Sequence, residues 1–412
     1  MRVRRLRNEW HRPGQAASVA ADVSEILARV RAEGDDAVMR YTEQFDRAEL
    51  GPEELRVDAR ELEASLGVLE PAVLRGLRAS IANVRAVAEA QLADPVSMEL
   101  EAGQRVDVAE QPVRRAGVYV PAGRAAYPST VVMCAVTARA AGVDQIAVCA
   151  PPGPGGRAHP VILAASVLCE VSEVYRMGGA QAIAALAYGT ASVPAVDVIV
   201  GPGNAYVQEA KRQLVGVVGI DGIAGPSELV VVAGRGADPE LVALDLLAQA
   251  EHGADSPLWL LASDDRVVEA VIAAMERLAP KRASVEDAEL QAVVVDDPRT
   301  ALRFADEIAP EHLELVGDEV EELVDLVRAA GCVFVGAQAG TAFGDYVAGS
   351  NHVLPTGGAA RFQGALSPAT FRRRVARVSL PGEAAARLAP LGGPLARAEG
   401  FPVHAESMER RA

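Results

Sequence analysis

From Gly117 onward the chain alternates short apolar runs with stretches of helical periodicity, and this rhythm restricts the fold more than any other feature. The apolar runs are residues 117–120, 145–149, 173–176, 196–200, 229–232, 258–261, 292–295 and 332–335. Between them lie amphipathic segments such as 129–141, 205–214 and 239–250. Alternation of this kind builds βαβ units, so the expected class is α/β with parallel sheet. There are enough strands for two doubly wound halves, divided near residues 224–227. In such sheets ligands bind beyond the carboxyl ends of the strands, so the residues just after each strand carry the functional information. Residues 19–31 and 71–92 show a 3.6-residue period, so the first hundred residues are expected to be helical. From Ala376 the chain reads as a tail or small helical appendage.

Composition removes several functions. A chain of 412 residues can bury the cores of two domains. Half its residues are apolar but only 4% are aromatic, so Ala, Val and Leu must fill the interior. A net charge of −16 argues against nucleic acid and anionic membrane as partners. No apolar run is long enough to span a bilayer. Residues 1–14 are basic, but no apolar stretch follows, so no signal peptide is expected. Cys134, Cys149, Cys169 and Cys332 are widely spaced and read as buried thiols, which suits a cytoplasmic protein. The only lysines are Lys211, among polar neighbours on a helix, and Lys281 after Pro280; neither suggests Schiff-base chemistry.

The strand ending at Val200 runs into Gly201-Pro202-Gly203-Asn204 and a helix. Glycines there allow close approach of a ligand, and a helix N-terminus favours phosphate; a plain turn would look the same. No GxGxxG fingerprint follows any strand, so an ordinary Rossmann dehydrogenase is excluded. Pro121-Ala122-Gly123-Arg124 and Gly178-Gly179-Ala180-Gln181 are further strand-end loops on the same sheet edge. Gln249 and His252, three apart near a helix end, share a face and suit one cation, but a helix-terminal His also offsets the dipole. Glu311 and His312 put a carboxylate beside an imidazole just after Pro310, which should hold Ala309 extended. Adjacent residues of a strand face opposite ways, so this segment must turn or cross a site edgewise to serve it with both. Asp345, in a Gly-rich loop, suits either a metal or an Asx turn. His352 reads as bonding within that loop, and Glu399 and His404 fall in the tail.

Taken together, these segments resemble the histidinol dehydrogenase family in nearly every block and in order, from about Val19 to His404. The resemblance is carried by Tyr119-Val120-Pro121-Ala122-Gly123, Gly178-Gly179-Ala180-Gln181, Gly201-Pro202-Gly203-Asn204 and Ala224-Gly225-Pro226-Ser227-Glu228. It continues through Gln249-Ala250-Glu251-His252-Gly253, Ala309-Pro310-Glu311-His312-Leu313, Gly344-Asp345-Tyr346 and Asn351-His352-Val353-Leu354-Pro355-Thr356. Ala122 stands where the family often has Gly, and is small enough to allow the same close approach.

The resemblance implies zinc held by Gln249, His252, Asp345 and His404, and an acid–base pair of Glu311 and His312. It implies NAD contacts from Tyr119, Gln181 and Asn204, and a histidinol site lined by Ser227, His312, Glu399 and the zinc ligands. It further implies a homodimer whose tail is exchanged between subunits. The expected organisation is an N-terminal segment 1–24, a discontinuous Rossmann-like domain of 25–115 plus 228–365, a second Rossmann-like, NAD-binding domain 116–227, and a tail 366–412, both domains being incomplete versions of that fold. A sister enzyme acting on another polar primary alcohol, or a zinc hydrolase using Glu311 as base, would share much of this pattern.

Overall fold

The computed structural model describes residues 2–12, 18–122, 125–153 and 155–412; Gly123 and Arg124 of the first strand-end loop lie outside them. The class expected from sequence is found: α/β, with two parallel sheets. One has five strands in the order Glu173–Arg176, Gln145–Ala150, Arg115–Tyr119, Val198–Val200, Gly219–Ile220. The other has six, in the order Arg2–Arg7, Glu289–Val294, Leu258–Ala262, Leu229–Ala233, His312–Val316, Cys332–Val335. Every pairing within both is parallel. The central strands Leu229–Ala233 and Leu258–Ala262 are buried at every residue, as expected of strands covered on both faces.

Each sheet reverses its winding once. In the five-stranded sheet the switch falls between Arg115–Tyr119 and Val198–Val200. In the six-stranded sheet it falls between Leu229–Ala233 and His312–Val316. Neighbouring connections diverge at these points and leave a crevice.

Three features differ from the sequence expectation. The basic N-terminus forms an edge strand, Arg2–Arg7, whose charges are accommodated because that edge faces Glu269 and Asp265. Second, the helices between residues 20 and 90 do not join the six-stranded sheet. Ala20–Glu33 packs on Gly179–Tyr188 and Ala205–Leu214, Asp35–Asp46 on Gly179–Tyr188, and Pro71–Ala90 on Pro128–Ala140. Val23, Ile26, Leu27, Val30 and Val38 thus share a core with Ile183, Leu186 and Val207, beside the five-stranded sheet. The same region also touches the 228–365 segment, where Asn83 Nδ2 donates to the Val347 carbonyl at 2.7 Å. Third, Val96–Glu99, Arg105–Pro112 and Arg372–Ser379 form a three-stranded antiparallel sheet ahead of the tail helices Gly382–Ala398 and Pro402–Glu409. Those helices pack mainly on each other and leave Leu391, Leu395 and Val403 exposed.

Cys134, Cys149 and Cys169 are buried and unpaired, and burial keeps their thiols protonated. Among the described residues, no helix is long and apolar enough to cross a membrane.

Candidate active site

A cleft of about 660 Å³ lies between the two sheets. The five-stranded sheet offers it the expected carboxyl edge, through Tyr119, Gly179, Gln181, Gly203 and Asn204. The six-stranded sheet offers its amino edge instead: Ser227 precedes the strand Leu229–Ala233, Glu311 precedes His312–Val316, and Gln249 closes the helix that leads to Leu258–Ala262. The rule that function follows the strands therefore holds for one sheet only. The polarity is chemically sensible. Helix N-termini carry partial positive charge toward an anionic ligand, whereas the C-terminus of Pro239–Ala250 carries partial negative charge toward a cation.

On the first edge, Asn204 caps the helix Ala205–Leu214, its Oδ1 accepting from the backbone of Tyr206 and Val207. Gly201 has φ of +114°, and a Cβ there would fall 2.1 Å from the Tyr119 carbonyl oxygen, so only glycine fits. Tyr119 is buried, and its hydroxyl accepts from the Gly179 N–H at 3.2 Å. Gln181 is 1% exposed, yet neither Oε1 nor Nε2 has a partner. Thr130 Oγ1, His352 Nε2 and Asp46 Oδ2 are also buried without partners, and all four residues line the cleft. Unpaired buried polar groups are costly, so their convergence marks a place where a polar ligand completes the bonding.

On the other edge a hydrogen-bonded chain runs through three candidate residues. Gln249 Nε2 donates to Ser227 Oγ at 2.7 Å, and Ser227 Oγ donates in turn to Glu311 Oε2. Glu311 Oε2 also accepts from the Glu228 N–H at 3.0 Å. Burial pushes the Glu311 carboxyl above its ordinary range, opposed by nearby His312, the Ser227 hydroxyl and the Glu228 amide. His312 Nδ1 lies 3.3 Å from the Glu228 carbonyl oxygen and 3.5 Å from Glu311 Oε2. Both neighbours are acceptors, so Nδ1 carries the proton, and Nε2 keeps a lone pair for proton transfer. Nε2 faces Asp345 Oδ1 at 3.8 Å, beyond hydrogen-bond reach.

Glu311 and His312 serve one site because Glu311 lies before the strand, outside its pleat. Ala309 is not extended: it adopts φ 51°, ψ 63°, closing the helix Pro298–Ile308 in the left-handed region. This conformation is sparsely populated for any non-glycine residue and worse before proline, at a cost of about 1–3 kcal/mol. Bonds made by the displaced segment hold it, from Gly331 N to Pro310 O and from Cys332 N to Glu311 O.

Asp345 sits in a short helix, Thr341–Tyr346, not in a loop turn. His252, Asp345 and His312 all act electrostatically on His352, whose burial lowers its pKa. His352 bonds to the backbone of Ser129 on another helix, not within its own loop. Its site position was not legible, because only the fold brings Ser129 beside it. The structure thus brings Tyr119, Gln181, Asn204, Ser227, Gln249, His252, Glu311, His312 and Asp345 together. It does not bring Glu399, exposed in the turn between the two tail helices, or His404, exposed on the second of them. Among the described residues, no group of three or more His, Cys, Asp or Glu side chains is placed to hold a metal. Asp46 and Thr130 were not anticipated, and no local motif marks either.

The family profile described as histidinol dehydrogenase matches residues 11–412. Histidinol dehydrogenase from Caulobacter vibrioides is 44% identical over 97% of this chain and 94% of its own length. The Synechococcus sp. enzyme of the same name is 43% identical over 95% of this chain and 92% of its own. Among solved structures, histidinol dehydrogenase from Elizabethkingia anophelis superposes with a TM-score of 0.94 at 31% identity, covering 100% of this chain and 98% of the other. With the profile spanning nearly the whole chain and relatives this similar over nearly their full length, the chain belongs to the histidinol dehydrogenase family of oxidoreductases.

Proposed function

We propose that this protein oxidises L-histidinol through histidinal to L-histidine, a four-electron reaction using two NAD⁺ and one zinc ion per subunit, in the cytoplasm. The observation that carries the proposal is the hydrogen-bonded chain from Gln249 through Ser227 to Glu311, with His312 beside it, in a cleft also lined by the unpartnered polar groups of Gln181, Thr130, His352 and Asp46.

Gln249, His252 and Asp345 suit zinc, which accepts nitrogen and oxygen donors and needs no thiolate. The bond from Gln249 Nε2 to Ser227 leaves Gln249 Oε1 as the available donor atom. These three leave one position of a four-coordinate zinc to be filled. We assign the remaining ligand to His404, and a substrate contact to Glu399, both supplied by a second subunit. The exposed apolar residues of the tail helices favour such an exchange, which places an identical element on the partner.

Zinc, when bound, would polarise the substrate oxygen. NAD⁺, held by Tyr119, Gln181 and Asn204, would take up the hydride of each oxidation. In the first oxidation His312 Nε2 removes the alcohol proton. Glu311, held basic side inward by Ser227 and the Glu228 amide, takes a proton from water that adds to the aldehyde. His312 returns its first proton to the aldehyde oxygen as the hydrate forms, and then accepts the proton of the hydrate in the second oxidation. The test is stoichiometry, read as NADH absorbance on limiting histidinol with a trap for free aldehyde. Two NADH per histidinol with little trapped aldehyde is expected. One NADH with stoichiometric aldehyde would leave a simple alcohol dehydrogenase.

A further inference from the structure

Asp46 is the last residue of the helix Asp35–Asp46, where a negative charge opposes the helix dipole. Burial lifts its carboxyl to about 6, and its Oδ2 is buried with no partner. The side chain lines the cleft and lies close enough to Tyr119 for its charge to act on the phenol. As a structural residue Asp46 is thus a liability on three counts, and a ligand hydroxyl would relieve two of them, the missing hydrogen bond and the burial of an uncompensated charge.

Its place in the cleft indicates which part of the ligand that is. The end occupied by Glu311 and His312 must receive the reacting ring, because the hydride leaves the carbon whose hydroxyl gives its proton to His312. The far end is bounded by Ile26, Phe45 and Tyr206, which also border a shallow depression outside the cleft that no catalytic residue reaches. Phe45 and Tyr206 are 51% and 38% exposed, so they offer aromatic surface on which a purine stacks. Asp46 adjoins Phe45 at that end. The described residues lining the cleft include no lysine or arginine, and Arg29 and Arg40 in the adjoining depression are already paired with Glu25 and Glu33.

We propose that Asp46 accepts hydrogen bonds from the hydroxyls of the cofactor's adenosine ribose and excludes a 2′-phosphate, making it the residue that selects NAD over NADP. A carboxylate opposite the ribose diol is a chemically general way to read it, and a 2′-phosphate would set like charges together where water screens them poorly. The inference rests on the cofactor reading above.

Calorimetric titration of the zinc-loaded protein with ADP-ribose and with 2′-phospho-ADP-ribose separates the two. The unaltered protein should prefer ADP-ribose by about 100-fold or more, a difference of two charge-assisted bonds. Asp46→Asn should lose about tenfold in ADP-ribose affinity, and Asp46→Ser should narrow the preference to under about tenfold. The unfolding midpoint of the ligand-free variants should stay level or rise, because the unfavourable helix-end charge is gone. A preference that survives in both variants overturns the inference and leaves the cofactor reading intact. So does a loss of affinity matched by a loss of ligand-free stability, which would make Asp46 a structural residue. An unaltered protein that binds neither probe overturns the cofactor reading and the inference together.

Discussion

Lys211 offers the sharpest test of how the cofactor edge is built. Its side chain is 1% exposed and pairs with Asp221, itself 7% exposed. The pair grips one residue from both sides: Lys211 Nζ donates to the Gly201 carbonyl at 3.0 Å, and the Gly201 N–H donates to Asp221 Oδ2 at 2.7 Å. Gly201 opens loop 201–204 at the switch point. Two unit charges in contact at an effective dielectric near 20 attract by about 5 kcal/mol before desolvation is counted. Lys211→Met keeps the stem volume but leaves a buried carboxylate without its counterion, which typically costs about 3–5 kcal/mol. Asp221 retains N–H donors from Gly201 and Gly222, so the lower end of that range is expected. Lys211→Met/Asp221→Asn removes both charges and should recover more than half of the loss, a coupling of about 2 kcal/mol. Both tryptophans sit with the six-stranded sheet, so their fluorescence would miss the effect. Urea unfolding followed by hydrogen exchange over residues 198–214 reads it directly. A single-variant loss under about 1 kcal/mol, or strict additivity in the double variant, would refute the clamp.

The remaining predictions concern the site and its assembly. His312→Ala should impair both oxidations, whereas Glu311→Gln should chiefly slow oxidation of supplied aldehyde; equal losses in the two half-reactions would refute that division. Refolding His252→Ala and His404→Ala chains together should restore about a quarter of full activity if tails are exchanged, since half the dimers are mixed with one intact site each. A tail that served its own chain would restore none. Burial, reinforced by the charge of Glu311, lifts the Glu228 carboxyl from an ordinary 4.5 to about 7. The folded state therefore holds that proton more tightly than the unfolded chain, and the resulting stability is lost as pH rises from 4.5 toward 7. Glu228→Gln, which keeps an acceptor for the Gly357 N–H, should gain up to roughly 3 kcal/mol at pH 8 and progressively less toward pH 5 in urea unfolding. A gain independent of pH would count against the buried charge.

Eight of the eleven strands in the two parallel sheets were legible as apolar runs, because central strands buried on both faces must be continuously apolar, as Leu229–Ala233 and Leu258–Ala262 are; Arg2–Arg7, Gly219–Ile220 and His312–Val316 were not. Helix starts such as Asn204 and Asp238 were equally local, since a cap bonds only within its own first turn. The motif order pointed to the family, and with it to Glu311, His312, Gln249, His252 and Asp345. The remainder depended on distant chain segments. The strand Arg2–Arg7 carries four arginines and is held by pairing with Glu289–Val294 and by acidic residues far along the chain. An apolar stripe on Ala20–Glu33 says that the helix packs, but not on which sheet. Lys211 looks solvent-facing in its helix until Asp221 and Gly201 close over it. The choice of the amino edge for Ser227 and Glu311 was likewise decided only when the two sheets met. Glu399 and His404 remain outside the cleft of their own chain, because nothing in that chain folds the tail helices across it. A residue's chemistry is written in its type and spacing, but its partners are fixed by packing between segments that sequence order keeps apart.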